Sequence, residues 1–449
     1  MHTIQPLAEM LRGRARHLAL ATIVLGALAA SAIPVRAADL PGSFGSQAYG
    51  VSANAKAAII TGNTGLIAYR PIGCDGTNGD TLANRVTGLS LGPAGSIVRA
   101  QVVRSTVYSD KTASSAVVRN KSVIKWLNAL NGLITADAVK AAAEVSANSS
   151  IIRSRFEGSS FGNLKIAGNP IAANVAPNTK VTLPGVGHVL LKRIVRTGDG
   201  SPERRIIVEM LRIVVERTNT FDLPVGAVII LAHANAKYTR IDLDRVVGGN
   251  AYVTTANNKA GSSLQNQIGR QAFLALPCEG TDGKVLSNEI DSLSVGSTLN
   301  VGTGLTRAFA DQEGTEITAW TSAEVRNVRL LGNLIRADLV RAVARDRFSN
   351  GTRKSATKGT RVTRLRVAGV LIGDMTAANV KINVPGAGFL IVNERVIPDP
   401  ATSQPTVSNG LHLFVNLANS FGLPVGSEII ISHAQSFIVP KAPKLAALE

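Results

Sequence analysis

Aromatic residues are scarce in this sequence, which has two Trp, five Tyr and eleven Phe among 449 residues. Surfaces that stack sugars or bases need such rings, so the composition argues against a binding module of that kind. Charged residues are also few, at 17%, whereas hydrophobic residues make up 45%. This balance is typical of a globular protein, and it excludes a disordered chain, a collagen and a coiled coil.

Acidic residues are outnumbered: the chain has 48 Lys and Arg and 30 Asp and Glu, which gives a formal charge of +18. Without residues 1–37, the chain keeps 44 basic and 29 acidic residues, or +15. A field of this sign attracts polyanions such as anionic wall polymers, acidic polysaccharide, extracellular DNA or lipid headgroups. The alternative is an Arg-rich composition spread over a solvated surface. No motif for sequence-specific nucleic acid recognition is present.

Long apolar runs are absent except for residues 18–33, which follow Arg12, Arg14 and Arg16 and precede a small-residue site at Ala37. This order predicts a signal peptide over residues 1–37. The 16-residue run is shorter than the ~20 residues of a membrane span. We therefore expect a secreted or cell-surface protein with no transmembrane span in the mature chain. The tail at residues 441–449 carries no sorting signal, so no C-terminal anchor is expected.

The rest of the chain contains two copies of one unit. Residues 71–79 recur as residues 276–283, and Asn84 and Leu89 recur as Asn288 and Leu293. Further matches join 133–137 to 334–338, 164–168 to 365–369, 184–187 to 385–388, 221–226 to 421–426, and 233–234 to 433–434. The duplication predicts two domains, over residues 38–243 and 244–440.

Alternation of apolar and polar residues predicts strands in both copies. Leu211, Ile213 and Val215 share one side of residues 204–218, and the second copy keeps this period of two. Residues 133–145, rich in Ala, suit a helix by propensity. The equivalent segment of the second copy has Arg at both alternating sets of positions, which favours a long strand. We predict a mainly β protein with two tandem β-sandwich or barrel-like domains of the same fold after the signal peptide.

The repeated motifs resemble those of the choice-of-anchor P family of actinobacterial secreted surface proteins. The similarity rests on the Cys-x-Gly-Thr-x-Gly turns at Cys74 and Cys278, the Leu-Ile-x-Ala-Asp segments, the Pro-Gly-x-Gly turns and the closing Leu-Pro-Val-Gly with His-Ala. It covers nearly the whole mature chain in two tandem copies. The resemblance implies an exported, cell-wall-associated or released protein with no assigned catalytic activity.

Cys74 and Cys278 are the two cysteines, one in each copy and at matched positions. A disulfide within one unit is therefore impossible. If a pseudo-two-fold axis passes near these turns, the matched residues approach within the ~5.5 Å Cα separation that a bridge needs. An oxidising compartment favours such a bridge between the repeats. Two free thiols and a bridge between molecules are the alternatives.

His233 and His433 occupy the same position in the two copies, each at the end of an apolar strand. We expect both to be structural residues with a hydrogen bond in each core, since buried polar groups are normally paired. The alternative is the catalytic base of a secreted hydrolase, for which spacing identifies neither nucleophile nor orienting partner. No group of ligand residues has the spacing of a metal site, and neither a metal nor a cofactor is expected.

The segment from Arg336 to Arg366 has ten basic residues against Asp338 and Asp346. As a basic hairpin it would face a polyanion, because Arg grips phosphate or carboxylate in a bidentate way. A solvated, aggregation-resistant edge is the alternative. The candidate polyanion-binding residues are Arg341, Arg345, Arg347, Arg353, Lys354, Lys358, Arg361, Arg364 and Arg366.

Together these features predict a secreted, non-enzymatic structural or adhesive surface protein. Its expected partner is an anionic wall or matrix polymer, held by the basic surface. Self-association through edge strands is a further expectation. The alternative function is a secreted hydrolase that uses His233 or His433.

Overall fold

Strands form all the regular secondary structure in the part of the chain that the computed structural model describes. The described residues are 40–54, 66–74, 76–92, 95–200, 202–240, 245–258, 270–295, 297–400 and 404–440. The signal peptide predicted at residues 1–37 and the tail at 441–449 lie outside them. The two repeats together belong to one compact unit.

The first repeat forms two antiparallel sheets. Its strands are β1 (Ser43–Phe44), β2 (Ser46–Asn54), β3 (Arg70–Ile72), β4 (Thr81–Leu91), β5 (Val98–Lys111), β6 (Ser115–Ala129), β7 (Ile134–Asn148), β8 (Ile152–Arg155), β9 (Ser160–Gly162), β10 (Lys165–Ile166), β11 (Asn169–Pro170), β12 (Thr179–Leu183), β13 (Gly187–Thr197), β14 (Glu203–Val215) and β15 (Val228–Thr239). Sheet I has the order β12-β13-β14-β15-β2-β3, with β1 on β15. Sheet II has the order β11-β10-β7-β6-β5-β4, with β8 and β9 on β7.

The second repeat follows the same plan. Its strands are β16 (Arg245–Asn258), β17 (Leu274–Leu276), β18 (Leu286–Ile290), β19 (Leu293–Val295), β20 (Leu299–Val301), β21 (Gly304–Glu313), β22 (Glu316–Leu330), β23 (Ile335–Ser349), β24 (Thr352–Ala356), β25 (Arg361–Val367), β26 (Val370–Met375), β27 (Val380–Val384), β28 (Gly388–Val396), β29 (Thr406–Val415) and β30 (Ser427–Pro440). Sheet III has the order β17-β16-β30-β29-β28-β27. Sheet IV has the order β18-β21-β22-β23-β25-β26, with β19, β20 and β24 beside it.

Each repeat is a β-sandwich, so the predicted mainly β fold is confirmed. In the second repeat, Leu411 and Leu413 of sheet III share a core with Val325 and Val340 of sheet IV, and sheets I and II enclose a corresponding core. The Ala-rich segment is the strand β7, with its run of small side chains buried. Packing against the opposite sheet therefore overrides the helix propensity of Ala.

The Pro-Gly-x-Gly turns recur because the backbone leaves no room for a side chain at their second glycine. Gly187 and Gly388 adopt φ values of +154° and +152°. A Cβ added there would overlap the carbonyl oxygen of Val214 or of Phe414 on the neighbouring strand. Only glycine allows this close approach, so this part of the repeated motif is required by the fold.

The second repeat has a buried ion pair where the first repeat is apolar. The Arg353 guanidinium donates to the Asp346 carboxylate at 2.8 Å, and both side chains are buried. Ser355, Thr406 and Ser436 donate to the same carboxylate at 2.6, 2.9 and 2.5 Å. We call Asp346, Arg353, Thr406 and Ser436 the polar plug. Strand register matches these four to Val145, Ile152, Ile206 and Ala236, all buried in the first core.

Replacing only Asp346 by Val should destabilise the protein strongly, because the Arg353 charge is then buried without its partner. The expected loss is about 3–5 kcal/mol of unfolding free energy. The four-fold exchange Asp346→Val, Arg353→Ile, Thr406→Ile and Ser436→Ala copies the first repeat and should recover most of that loss. Urea denaturation of the two variants and the wild type measures this. A four-fold variant no more stable than Asp346→Val would contradict the equivalence of the two cores.

Equivalent residues of the two repeats meet on a pseudo-two-fold axis. Leu66 and Arg270 pair in an antiparallel bridge, and the rings of Tyr69 and Phe273 lie 5.0 Å apart. At the matched turns, a disulfide joins Cys74 and Cys278, whose Cα atoms are 5.5 Å apart. The bridge between the repeats expected from the sequence is thus present. It also packs symmetrically: Cys74 Sγ lies 3.3 Å from the Val247 carbonyl oxygen, and Cys278 Sγ lies 3.1 Å from that of Phe44.

Removing this bridge by changing Cys74 and Cys278 to Ser should lower the unfolding free energy by about 2–5 kcal/mol, because the unfolded chain gains freedom in a long loop. Urea denaturation of the oxidised wild type and the double variant measures the difference. Adding reductant should lower the wild-type midpoint and leave the variant unchanged. An unchanged midpoint for fully reduced wild type would show that the bridge contributes nothing.

Candidate functional site

The outer face of sheet IV carries the predicted basic residues because β23 alternates between inward and outward side chains, with a phase shift between Ala337 and Val340. Val340, Ala342 and Ala344 point into the core and are buried, whereas Arg345 and Arg347 point outward and are exposed. Arg341 shares the outward phase and is half-buried. The neighbouring strands β24 and β25 add more cations to this surface, which we call the arginine face. It consists of Arg329, Arg336, Arg341, Arg345, Arg347, Lys354, Arg361 and Arg366.

Cations stand directly opposite cations across the arginine face. Arg336 on β23 has Arg329 of β22 on one side and Arg366 of β25 on the other. Further along the same strand, Arg341 has Arg361 on one side and Glu324, which pairs with Arg326, on the other. Arg347 faces Lys354. Like charges at directly opposite positions of an antiparallel pair destabilise it. The repeat therefore maintains this row of positive charge at a cost to its own stability.

Few acids offset this charge. Arg347 pairs with Glu316 at 2.6 Å, and Arg364 with Asp338 at 3.2 Å. Exposed pairs of this kind contribute little to stability. Among the described residues, no carboxylate lies within ion-pair distance of Arg341, Arg345, Arg361 or Arg366. Their guanidinium groups are therefore available to an external anion.

The prediction that Arg353 belongs to the polyanion-binding residues is wrong. The Arg353 side chain points inward from β24 and is buried in the polar plug with Asp346. Lys358 is exposed in the turn after β24, and Arg364 lies at an irregularity of β25 with a φ of +50°. Both stand at the margin of the arginine face.

Arg329 was missed by sequence reasoning because it lies on β22, outside the basic segment. Arg307 and Arg326 likewise come from β21 and β22, and both are exposed on the outward side of sheet IV. Alternation along residues 316–326 could have indicated an outward phase for Arg326, but the phase shifts at Asn327, whose φ is +53°, so alternation alone would have put Arg329 on the inward side. Only the register brings these side chains beside the predicted ones.

The first repeat lacks the opposed cations of the arginine face. Strand register matches Arg336, Arg347 and Arg361 to Thr135, Ser146 and Ser160. The same backbone thus forms with small polar residues at these positions. Sheet II has a different opposed pair nearer its other edge, where Arg85 faces Arg104.

His233 lies in sheet I, which packs against sheet II in the first repeat, and its side chain is buried. Its ring stacks on Tyr49 with centroids 4.2 Å apart. Its Nδ1 atom lies 3.8 Å from Glu209, which also binds Arg193 at 3.0 Å and Arg212 at 3.2 Å. That distance exceeds a hydrogen bond, so the structural hydrogen bond expected for His233 is not formed.

His433 has the corresponding place in sheet III and does have a partner. Its ring stacks on Tyr252 at 4.3 Å, and its Nδ1 atom lies 2.7 Å from the Asn409 amide oxygen. Asn409 donates in turn to Glu394 at 2.6 Å. Burial, reinforced by nearby arginines, lowers the pKa of both His233 and His433 to about 3. These contacts support a packing role for both histidines.

No family model matches the chain, and no curated protein matches it. Within the described ranges there is no cluster of His, Cys, Asp and Glu that could hold a metal ion, and no helix suited to cross a membrane. The Cys74–Cys278 disulfide is a bond typical of oxidising compartments, which places the protein outside the cell.

Acid should destabilise the protein through the buried histidines. Their folded pKa of about 3 lies below the ordinary value of 6.5, so the unfolded state binds more protons between these values. Stability is complete above pH ~6.5 and falls by about 1.4 kcal/mol per pH unit for each histidine towards pH ~3. Urea midpoints of the wild type and His433→Phe, compared between pH 4 and pH 7, should show a shallower fall in the variant. Tyr252→Phe changes the same stack without removing this titration and should keep the wild-type slope. Equal slopes for the wild type and His433→Phe would contradict burial of neutral His433.

Proposed function

We propose that this protein is a non-enzymatic extracellular surface protein that adheres to anionic wall or matrix polymer through the arginine face. The opposed cations carry this proposal: Arg336 between Arg329 and Arg366, Arg341 opposite Arg361, and Arg347 opposite Lys354. A polyanion between such side chains replaces repulsion by charge-assisted hydrogen bonds. The motif resemblance to choice-of-anchor P proteins agrees with a role at the cell surface.

The arrangement suits a polymer better than a small anion. Neighbouring strands are about 4.8 Å apart, so the row Arg329–Arg336–Arg366 extends across three strands as a line of charge. Successive anionic groups of one chain can engage successive arginines, and each further contact occurs at a high effective concentration. Arg also binds carboxylate and phosphate in a bidentate way, which Lys cannot do.

Exchanging Arg336→Thr, Arg347→Ser and Arg361→Ser gives this face the first repeat's residues and interrupts each opposed group. Retention of the mature protein on isolated wall should be salt-sensitive and should fall strongly in this variant, because screening and charge removal weaken the same attraction. Thermal stability should stay equal or rise slightly, since relief of like-charge pairs is worth about 0.2–1 kcal/mol each.

The control variant Lys180→Thr, Arg217→Ser and Lys284→Ser removes the same charge from exposed positions elsewhere. It should keep most of the retention, and wall stripped of anionic polymer should retain neither form. Equal loss in both triple variants would mean that net charge, rather than the arginine face, holds the protein. Absence of any retention at low salt would overturn the proposed function.

A further inference from the structure

A cleft of about 570 Å³ lies on the pseudo-two-fold axis and is lined by both repeats. Cys74 and Cys278 contribute to it, and its walls come from the outward faces of sheets I and III. Its volume is in the range of about 300–1,000 Å³ found for small-molecule sites. The arginine face is on sheet IV, so the cleft is a separate surface.

Two pairs of carboxamides line the cleft at equivalent positions. Gln47 faces Asn235 across β2 and β15, and Asn250 faces Gln435 across β16 and β30. Asn250 donates to Gln435 at 3.1 Å, while its own amide oxygen is buried without a hydrogen-bond partner. Each carboxamide can donate and accept, and buried polar atoms normally have partners. The set therefore suits a ligand with several hydroxyl groups.

Two other cations of the cleft already have partners: Lys237 pairs with Glu279 at 2.7 Å, and Arg205 donates to the Asn235 amide oxygen at 3.1 Å. Arg270 places a further positive charge in the same cleft. Its guanidinium carbon lies 5.0, 5.3 and 5.7 Å from the ring centroids of Tyr252, Tyr69 and Phe273. The rings hold this cation by cation–π attraction, and no carboxylate among the described residues pairs with it. A ligand carboxylate would supply the missing countercharge. The equivalent residue in the first repeat is Leu66, which pairs with Arg270 across the axis.

An apolar surface completes the cleft. The Phe437 ring lies over the backbone of Gly248, close enough that no side chain fits at that glycine. Aromatic rings bind the apolar faces of sugar rings. Three rings, Tyr69, Phe273 and Phe437, line the cleft.

We propose that the inter-repeat cleft binds a saccharide unit that carries a carboxylate, a hexuronate, with the carboxylate on Arg270 and the hydroxyl groups on the four carboxamides. This site goes beyond the proposed adhesion, which rests on the arginine face. A hexuronate combines the three chemistries that the cleft presents: one anionic group, several hydroxyl groups and a ring with apolar faces.

The test is titration of the mature protein with glucuronate, and with glucose and acetate as partial ligands, followed by calorimetry or by NMR shifts. Glucuronate should bind more tightly than either. Arg270→Leu introduces the first repeat's residue and should weaken glucuronate binding by about tenfold or more, as expected for one charge-assisted hydrogen bond. Arg217→Leu, an exposed change outside the cleft, should have no effect.

Circular dichroism and the urea midpoint show whether Arg270→Leu keeps the fold. Asn250→Ala is a second variant, which should weaken the binding of both glucuronate and glucose. No glucuronate binding by the wild type, or equal affinity for glucuronate and glucose, would overturn the proposal. The triple variant of the arginine face should bind glucuronate normally while losing wall retention, so the failure of one proposal can be told apart from the failure of the other.

Discussion

The contact of equivalent residues on the pseudo-two-fold axis is the constraint on which the rest of the structure depends. Cys74 meets Cys278, Tyr69 meets Phe273, and Leu66 meets Arg270. A duplicated unit can make such a self-complementary contact without a second matching surface, because each side supplies the same backbone. The covalent bond then fixes one arrangement of the two sandwiches. The cleft exists only because the outward faces of sheets I and III are held together there.

Duplication also lets the two copies diverge at positions where the fold accepts different chemistry. The polar plug around Asp346 and the apolar cluster around Val145 occupy the same strand positions. A buried ion pair is seldom more stable than well-packed apolar residues, so the plug is not required for stability. Three hydroxyl groups donate to Asp346, and Arg353 donates to the Gln404 carbonyl oxygen, in addition to the ion pair itself. These hydrogen bonds lower the cost of burying the pair in the second core.

Features that depend on short-range periodicity, or on the number of cysteines in each copy, could be predicted from the sequence. The alternation of apolar and polar residues around Leu211, Ile213 and Val215 indicated strands, and one cysteine per copy indicated a bridge between the repeats. Arg353 was assigned wrongly to the polyanion-binding residues, because a run of charged residues does not show on which side of a strand each side chain lies. The hairpin after Ser349 turns that side chain inward, towards a carboxylate seven residues earlier. Arg329 and the four carboxamides could not be predicted as site residues, since they become neighbours only through strand register and the contact between repeats.

The distribution of charge on sheet IV argues for a specific role rather than for solubility alone. A soluble surface needs both signs interspersed and no large field of one sign, and in the first repeat Lys140 faces the uncharged Ser160 rather than a second cation. In the second repeat the same positions hold arginines that oppose one another. Such side chains repel in the free protein, and an anion that reaches across several strands would relieve this repulsion. The cleft on the outward sides of sheets I and III has a different character, because Arg270, among rings and carboxamides, suits one small ligand. The two surfaces therefore differ in the size of anion that each can accommodate.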